Sequence, residues 1–231
     1  MELRGNFFNS ILIIKGDKMG KYYLFSDFSE EKGFSLVANE LRKDIKDYNQ
    51  IVFIASCPTI GEITDRYVEK YLEWFKRIGI HFKSKVVLDN CMDSIKMVNV
   101  INNASLIYLM GGTTSLQMKF LHENQLIEPI READCLILGL SAGAINMAKT
   151  SILTKTCGHD KQEVYKGIGL VDKSVEPHFI LSNFNEELKS LSYKYLIYGM
   201  CDESAIIIRG TECSYYGDIY LLRNGVFEKV S

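Results

Sequence analysis

The sequence is poor in the features that mark several protein classes. It has three prolines, one tryptophan and four histidines among 231 residues, and its six cysteines form no C-x-x-C pair. A disulfide framework is therefore not expected, and the cysteines fit reduced thiols of a cytoplasmic protein. The prolines are dispersed and mark no linker, so we expect a single domain over residues 19–231.

Long apolar runs and a strong excess of charge are also lacking. No run approaches the roughly 20 apolar residues that span a bilayer. The net charge is −2, and lysines and arginines are scattered along the chain. Neither nucleic acid nor an anionic membrane is therefore an expected partner.

The first 18 residues lack the marks of a secretion signal. Their apolar stretch is short, Arg4 is its only preceding basic residue, and no A-x-A site follows. Met19 stands just before the strand-like letters KYYLFS, which make a natural first strand. We therefore expect residues 1–18 to be an N-terminal extension outside the fold.

What the sequence does contain is an alternation of strand-like and helix-like segments. Through residue 140, apolar runs without polar alternation are separated by segments with helical spacing, which predicts a parallel sheet covered by helices. After Ser141, short strand candidates cluster, and Arg-Asn-Gly at 223–225 signals a hairpin. The expected fold is α/β, a three-layer doubly wound and mostly parallel sheet with extra C-terminal strands.

The segment CLILGLSAGAINM, residues 135–147, carries the strongest chemical signal. It places G-x-S-x-G directly after an apolar strand and at the start of a helix, as in a nucleophile elbow. Small residues at Gly139 and Gly143 let the chain fold back tightly around Ser141. Ser141 is therefore the candidate nucleophile, and the N–H of Ala142 at the helix start can stabilise negative charge.

A second glycine-rich turn precedes this elbow by one strand. The segment IYLMGGTTSLQ, residues 107–117, also runs from a strand through glycines into a helix. Parallel strands end at one edge of a sheet, where ligands bind. The two turns are expected to face one cleft, with the N–H groups of Gly112 and Ala142 forming an oxyanion hole.

A serine nucleophile needs a base, and the four histidines limit the choice. His81 begins a strand candidate and His122 lies on a charged helix face, so both suit structural or solvated positions. His178 ends a strand-like segment after Pro177, which favours extended geometry before it. We favour His178 as the general base, with His159 as the alternative.

Three segments, YLMGGTT, GLSAGAINM and EPHF, together resemble peptidase family S51 from about residue 21 onward. This family contains dipeptidase E and cyanophycinase, and its fold is related to class I glutamine amidotransferases, with a flavodoxin-like sheet. The resemblance implies Ser141 as nucleophile, His178 as base, and Gly112 and Ala142 as the oxyanion hole. It implies no cofactor and no metal.

The third member of the expected triad matches the family less well. In dipeptidase E an aspartate follows the elbow helix, but the corresponding place here falls near Thr156. Asp160 is the resulting expectation, with Glu163 as an alternative. The segment CDESA, residues 201–205, resembles an acidic segment of the family and adds Glu203 as another alternative.

The resemblance implies a serine peptidase that hydrolyses dipeptides or other short peptides. Arg131, Arg209 and Lys155 are the candidates for a cation that recognises an acidic substrate residue. A non-catalytic binding homologue and an α/β-hydrolase-type esterase are the alternatives. The latter usually carries a histidine before its oxyanion glycines, whereas Met110 stands there here. The protein is expected to be a monomer or a homodimer.

Overall fold

The computed structural model describes residues 20–59 and 61–231, so the expected extension over residues 1–18 lies outside the described residues. That residues 19–231 form one domain stays a prediction. Thirteen strands in the described ranges are β1 (Lys21–Phe25), β2 (Gln50–Ile54), β3 (Ser84–Leu88), β4 (Leu106–Leu109), β5 (Leu136–Leu140), β6 (Thr150–Leu153), β7 (Glu163–Lys166), β8 (Ser174–Glu176), β9 (Ile197–Met200), β10 (Ala205–Arg209), β11 (Glu212–Tyr216), β12 (Ile219–Arg223) and β13 (Val226–Lys229).

Seven α-helices occur in the same ranges. They are α1 (Ala38–Asp44), α2 (Gly61–Arg77), α3 (Ser94–Asn102), α4 (Thr114–Glu123), α5 (Ile127–Glu132), α6 (Ala142–Met147) and α7 (Glu186–Ser192). None of them, within the part of the chain that is described, has both the length and the apolar character to cross a bilayer.

The main sheet has the order β11-β10-β1-β5-β4-β2-β3 within the described residues. The five strands from β1 to β3 in this order are parallel, and β10 and β11 are antiparallel to their neighbours. This confirms the expected α/β fold with a mostly parallel sheet and additional C-terminal strands.

Helices cover both faces of the main sheet because its central strands are apolar on both sides. On one face, Phe34, Trp74 and Phe75 pack with Tyr108 in an aromatic cluster. On the other, Leu109 and Ile145 belong to the core under α4 and α6. Burial of this apolar surface is the main favourable contribution to folding.

The chain after α6 builds a smaller unit against the main sheet. A second sheet has the order β13-β12-β9-β8, in which β8 and β9 are parallel, and β6 pairs with β7 as a hairpin. The Asn-Gly turn at 224–225 joins β12 to β13 with positive φ at both residues, as a type I′ hairpin turn requires.

Two features differ from the pattern of the sequence. The helical segment after Gly112 divides into α4 and α5 because Gln125 adopts a positive φ of 56°. Strands β7 and β11 are not indicated by the sequence pattern, since each is short and mixes polar with apolar residues.

Candidate active site

Ser141 occupies a strained turn between β5 and α6. Its φ of 48° and ψ of −106° are unusual for a residue with a side chain, and α6 begins at the next residue, Ala142. The N–H of Ser141 donates to the carbonyl oxygen of Phe25 at 2.9 Å, which ties the turn to β1. The backbone thus has the geometry expected for a nucleophile elbow.

The two glycines around Ser141 are required by close backbone contacts. A Cβ at Gly139 would lie 2.6 Å from the carbonyl carbon of Gly143. A Cβ at Gly143 would lie 2.1 Å from the carbonyl oxygen of Leu109 on the neighbouring strand. The elbow can therefore pack on β4 only because both positions lack side chains.

The second sheet brings an imidazole and a carboxylate to Ser141. His178 and Asp202 each lie two residues beyond the ends of the parallel strands β8 and β9. His178 Nε2 is 2.9 Å from Ser141 Oγ, and His178 Nδ1 is 2.8 Å from Asp202 Oδ1. A serine, a histidine and an aspartate thus form one continuous line of hydrogen bonds.

Ser26, directly after β1, makes hydrogen bonds to both His178 and Asp202. Its hydroxyl donates to Asp202 Oδ1 at 3.0 Å and accepts the backbone N–H of His178 at 2.8 Å. Ser26 is fully buried, so this pair of contacts fixes both the carboxylate and the backbone of the histidine. Nothing in the sequence around Ser26 singles it out, because its role depends on strands far away along the chain.

The hydrogen bond to Asp202 sets the electrostatics of the histidine. It raises the pKa of His178, because the carboxylate stabilises the imidazolium, and burial only partly opposes this effect. The hydrogen bond from His178 in turn lowers the pKa of Asp202. The carboxylate is therefore ionised when the imidazole is neutral, which favours the tautomer with the proton on Nδ1.

The glycine turn after β4 and the elbow after β5 line the same cavity, which we call the Ser141 cavity. Its volume is about 380 Å³, and its wall includes Gly111, Gly112, Ser141 and His178. Gly112 has a φ of 128°, and a Cβ there would lie 2.3 Å from Ser56 Oγ. As the first residue of α6, Ala142 has no acceptor for its N–H within the helix.

The carboxylates expected to contact His178 lie elsewhere. Asp160 is exposed beside a different cavity, Glu163 pairs with Lys161, and the Glu203 carboxylate accepts the N–H of Ser29. These expectations are corrected by Asp202, which is the neighbour of Glu203. The turn after β9 directs the adjacent side chains of Asp202 and Glu203 to different partners, His178 and the N–H of Ser29.

His159, the alternative base, lines the Ser141 cavity, but the imidazole that contacts the Ser141 hydroxyl is that of His178. Burial lowers the pKa of His159. Its buried Nε2 has no hydrogen-bond partner in the described part of the chain.

A lysine and an aspartate also line the Ser141 cavity. Lys70 packs its ammonium over the ring of Trp74 at 4.6 Å, and Asp27 lies on the same cavity wall. Burial raises the pKa of Asp27. The cavity thus offers both signs of charge beside Ser141.

The three cations expected for this place have other contacts. Arg131 donates to the carbonyl oxygen of Ile168, Arg209 pairs with Asp44, and Lys155 is exposed outside the cavity wall. No group of three or more potential metal ligands occurs among residues 20–59 and 61–231.

Comparison with known proteins gives one family match. The model for peptidase family S51 matches residues 24–215. A curated relative, peptidase E from Nostoc sp. (strain PCC 7120 / SAG 25.82 / UTEX 2576), is 27% identical over 186 residues, which cover 78% of this chain and 70% of the relative.

Two solved structures share the fold. A peptidase from an acI-B1 actinobacterium superposes with a TM-score of 0.71 at 17% identity, over 92% of this chain and 94% of that one. A putative peptidase E protein from Listeria monocytogenes EGD-e gives a TM-score of 0.62 at 24% identity, over 93% and 100% of the two chains. At these identities the likeness shows a common fold.

Proposed function

The chain belongs to peptidase family S51, and from this premise we propose that it hydrolyses short peptides through an acyl-enzyme on Ser141. The family is one of serine-type peptidases, so peptides are the substrate class. The observation that carries the assignment of Ser141 is its hydrogen bond to His178, which in turn contacts Asp202.

In the first half-reaction, Ser141 Oγ attacks the peptide carbonyl carbon while its proton moves to His178 Nε2. Asp202 accepts the hydrogen bond from Nδ1 and stabilises the imidazolium. The N–H groups of Gly112 and Ala142 stabilise the oxyanion. The imidazolium then protonates the leaving amine as the C–N bond breaks, which leaves an ester on Ser141.

In the second half-reaction, water takes the place of the departed amine. His178 Nε2 removes a proton from the water as its oxygen attacks the ester carbonyl carbon, and the same oxyanion site stabilises the negative charge. The proton then returns to Ser141 Oγ as the ester bond breaks. The products are the free acid and the original hydroxyl.

The cavity favours short peptides with charged groups near the scissile bond. A volume of about 380 Å³ accommodates a peptide of a few residues. Lys70 is placed to donate hydrogen bonds to a substrate carboxylate, and Asp27 to accept them from a substrate ammonium group. A dipeptide carries both charges at neutral pH, which makes dipeptides the proposed preferred substrates.

The remaining aspects of the proposal concern the setting of the enzyme. The proposed location is the cytoplasm, which the thiols of Cys57, Cys91, Cys157, Cys201 and Cys213 suit. The proposed assembly is a monomer or homodimer that acts without nucleic acid or membrane partners.

The test is hydrolysis of a library of dipeptides and tripeptides by the purified protein. Ser141→Ala is expected to abolish turnover and keep the wild-type circular dichroism spectrum. Ser190→Ala, an exposed serine on α7, is the matched control and keeps full activity. Turnover by Ser141→Ala at the wild-type rate would refute the assignment, and a wild-type protein without turnover would favour a non-catalytic homologue.

A further inference from the structure

A chain of buried side-chain amides lies beneath the two turns that face the substrate. We propose that Gln117 and Asn146 are positioning residues that hold the proposed oxyanion donors, Gly112 and Ala142, at a fixed separation. This inference rests on the proposed peptidase function, and it assigns a role to two residues that do not line the Ser141 cavity.

Gln117 on α4 joins the ends of two parallel strands. Its Nε2 lies 3.1 Å from the carbonyl oxygens of both Ile54 at the end of β2 and Met110 just after β4. Because carbonyl oxygens only accept hydrogen bonds, the nitrogen must face them, and Oε1 must face away. The amide orientation is therefore fixed by its surroundings.

Asn146 on α6 completes the chain of hydrogen bonds. Its Nδ2 donates to Gln117 Oε1 at 3.1 Å and to the carbonyl oxygen of Thr114 at 2.9 Å. Its Oδ1 accepts the hydroxyl proton of Tyr165 on β7 at 2.7 Å. Each polar atom of the two amides thus has a partner that matches its donor or acceptor character.

The hydrogen bonds of the two amides reach residues on both sides of Gly111 and Gly112. They also reach one helical turn into α6, which follows Ser141. Met110 precedes Gly111 and Gly112, and Thr114 begins the helix that follows. Asn146 is four residues after Ala142, one helical turn along α6. A shift of α6 relative to the glycine turn would therefore break hydrogen bonds of both amides.

Such a shift is costly because Gln117 and Asn146 are both fully buried. Water cannot replace their partners, so a displaced amide would be left unsatisfied in an apolar layer. The side chains of their chain neighbours Met118, Ile145 and Met147 belong to the hydrophobic core and offer no strong hydrogen-bonding group. The network therefore favours one relative position of the two N–H groups, as preorganised stabilisation of an oxyanion requires.

The experiment measures the rate of modification by a fluorophosphonate as a function of pH. This reagent phosphonylates the serine through an intermediate that places an oxygen at the oxyanion donors. Gln117→Met and Asn146→Leu keep side-chain volume and remove the amides. Each is expected to lower the plateau rate by about 10- to 100-fold, the range for small displacements of catalytic groups.

Two further readouts separate positioning from a general loss of structure. The midpoint of the pH profile should not move, since neither amide contacts His178. For the best peptide substrate, kcat should fall while KM changes less than threefold. Ser192→Ala removes the partly buried hydrogen bonds of Ser192 with Lys189 and Gly225, neither of which lines the Ser141 cavity, and should lower Tm with an unchanged rate of modification.

Several results would overturn the inference. One is a wild-type rate of modification in both Gln117→Met and Asn146→Leu. Another is a midpoint of the pH profile that shifts in the amide variants together with the rate. A third is a loss of modification rate in Ser192→Ala as large as the loss in the amide variants. If neither amide variant folds, Tyr165→Phe removes the last hydrogen bond and should lower the rate about threefold, and an unchanged rate would count against the inference. Failure of the wild-type protein to react would instead refute the proposed function.

Discussion

The two sides of the Ser141 cavity are built by different means. The nucleophile side comes from the main sheet and is held by close backbone packing, in which Gly143 contacts Leu109. The base side comes from the second sheet, where the side chains of His178 and Asp202 are 38% and 58% exposed. The base side is held by hydrogen bonds. It should therefore tolerate added side-chain volume better than the nucleophile side does, and it should be more sensitive to the loss of a polar group.

The largest expected effect lies on the base side. Asp202→Asn should lower kcat by about 10³- to 10⁴-fold, because the amide no longer stabilises the imidazolium or its catalytic tautomer. Asp160→Asn changes an exposed carboxylate outside the site and is expected to retain wild-type kcat. Equal losses in the two variants would argue against Asp202 as the partner of His178.

The same variant has a defined pH signature. For the wild-type protein, the midpoint of the acid limb of the kcat/KM profile should lie above pH 6.5. Asp202 raises the pKa of His178, and the imidazole must be neutral to act as a base. Removing the carboxylate lowers the pKa of His178, so the residual activity of Asp202→Asn should extend to lower pH. A limb that moves to higher pH would contradict this assignment.

On the nucleophile side the largest effect should be on stability. Gly143→Ala places a Cβ 2.1 Å from the carbonyl oxygen of Leu109, so we expect a loss of about 3 kcal/mol or more, measured by urea unfolding. Gly61→Ala is the control, because a Cβ there meets no atom within 4 Å. If both variants are equally stable, close packing does not hold the elbow.

A smaller effect is expected where the two sides meet. Ser26→Ala removes the hydroxyl between Asp202 and the backbone of His178 and should lower kcat/KM about 10-fold, because both groups gain freedom to move. Ser29→Ala removes a hydroxyl from the exposed part of the same loop and should have little effect. Wild-type kinetics in Ser26→Ala would show that the bridge is dispensable.

A pH-dependent effect on stability is expected at Glu176, the last residue of β8. Burial raises its pKa to about 8, and the Thr154 hydroxyl donates to its Oε1 at 2.6 Å. The native state therefore binds a proton that the unfolded state releases, so stability falls as pH rises from about 4.5 to 8.

Glu176→Gln keeps the shape and removes this titration. Its Tm should exceed that of wild type at pH 8 by roughly 10 °C, because a pKa shift from 4.5 to about 8 corresponds to about 4 kcal/mol and each kcal/mol moves Tm by about 2–4 °C in a chain of this size. The two Tm values should converge near pH 5, where the carboxyl is protonated in the native state. A constant Tm difference across this range would exclude titration of Glu176 as its cause.

The comparison also explains which parts of the site were predictable from the sequence. The elbow is local: Gly139, Ser141 and Gly143 lie within five residues and follow an apolar strand, so their pattern predicts the turn that the structure shows. His178 was predictable because few histidines exist and one of them ends a strand.

Asp202 was not predictable because its position depends on tertiary pairing. Strand β8 had to be paired in parallel with β9 before His178 and Asp202 could be placed at one edge. Glu203, the alternative in the same segment, has a positive φ of 62° and turns toward the loop at Ser29. Sequence alone does not distinguish two adjacent carboxylates in such a turn.

The reaction of the wild-type protein with a fluorophosphonate tests the triad most directly, with the modified residue identified by mass spectrometry. We expect one adduct, on Ser141, at a rate that rises with pH through a midpoint above 6.5 and that falls steeply in His178→Ala. An adduct on a different residue, or a rate on Ser141 that His178→Ala leaves unchanged, would contradict the assignment of the triad.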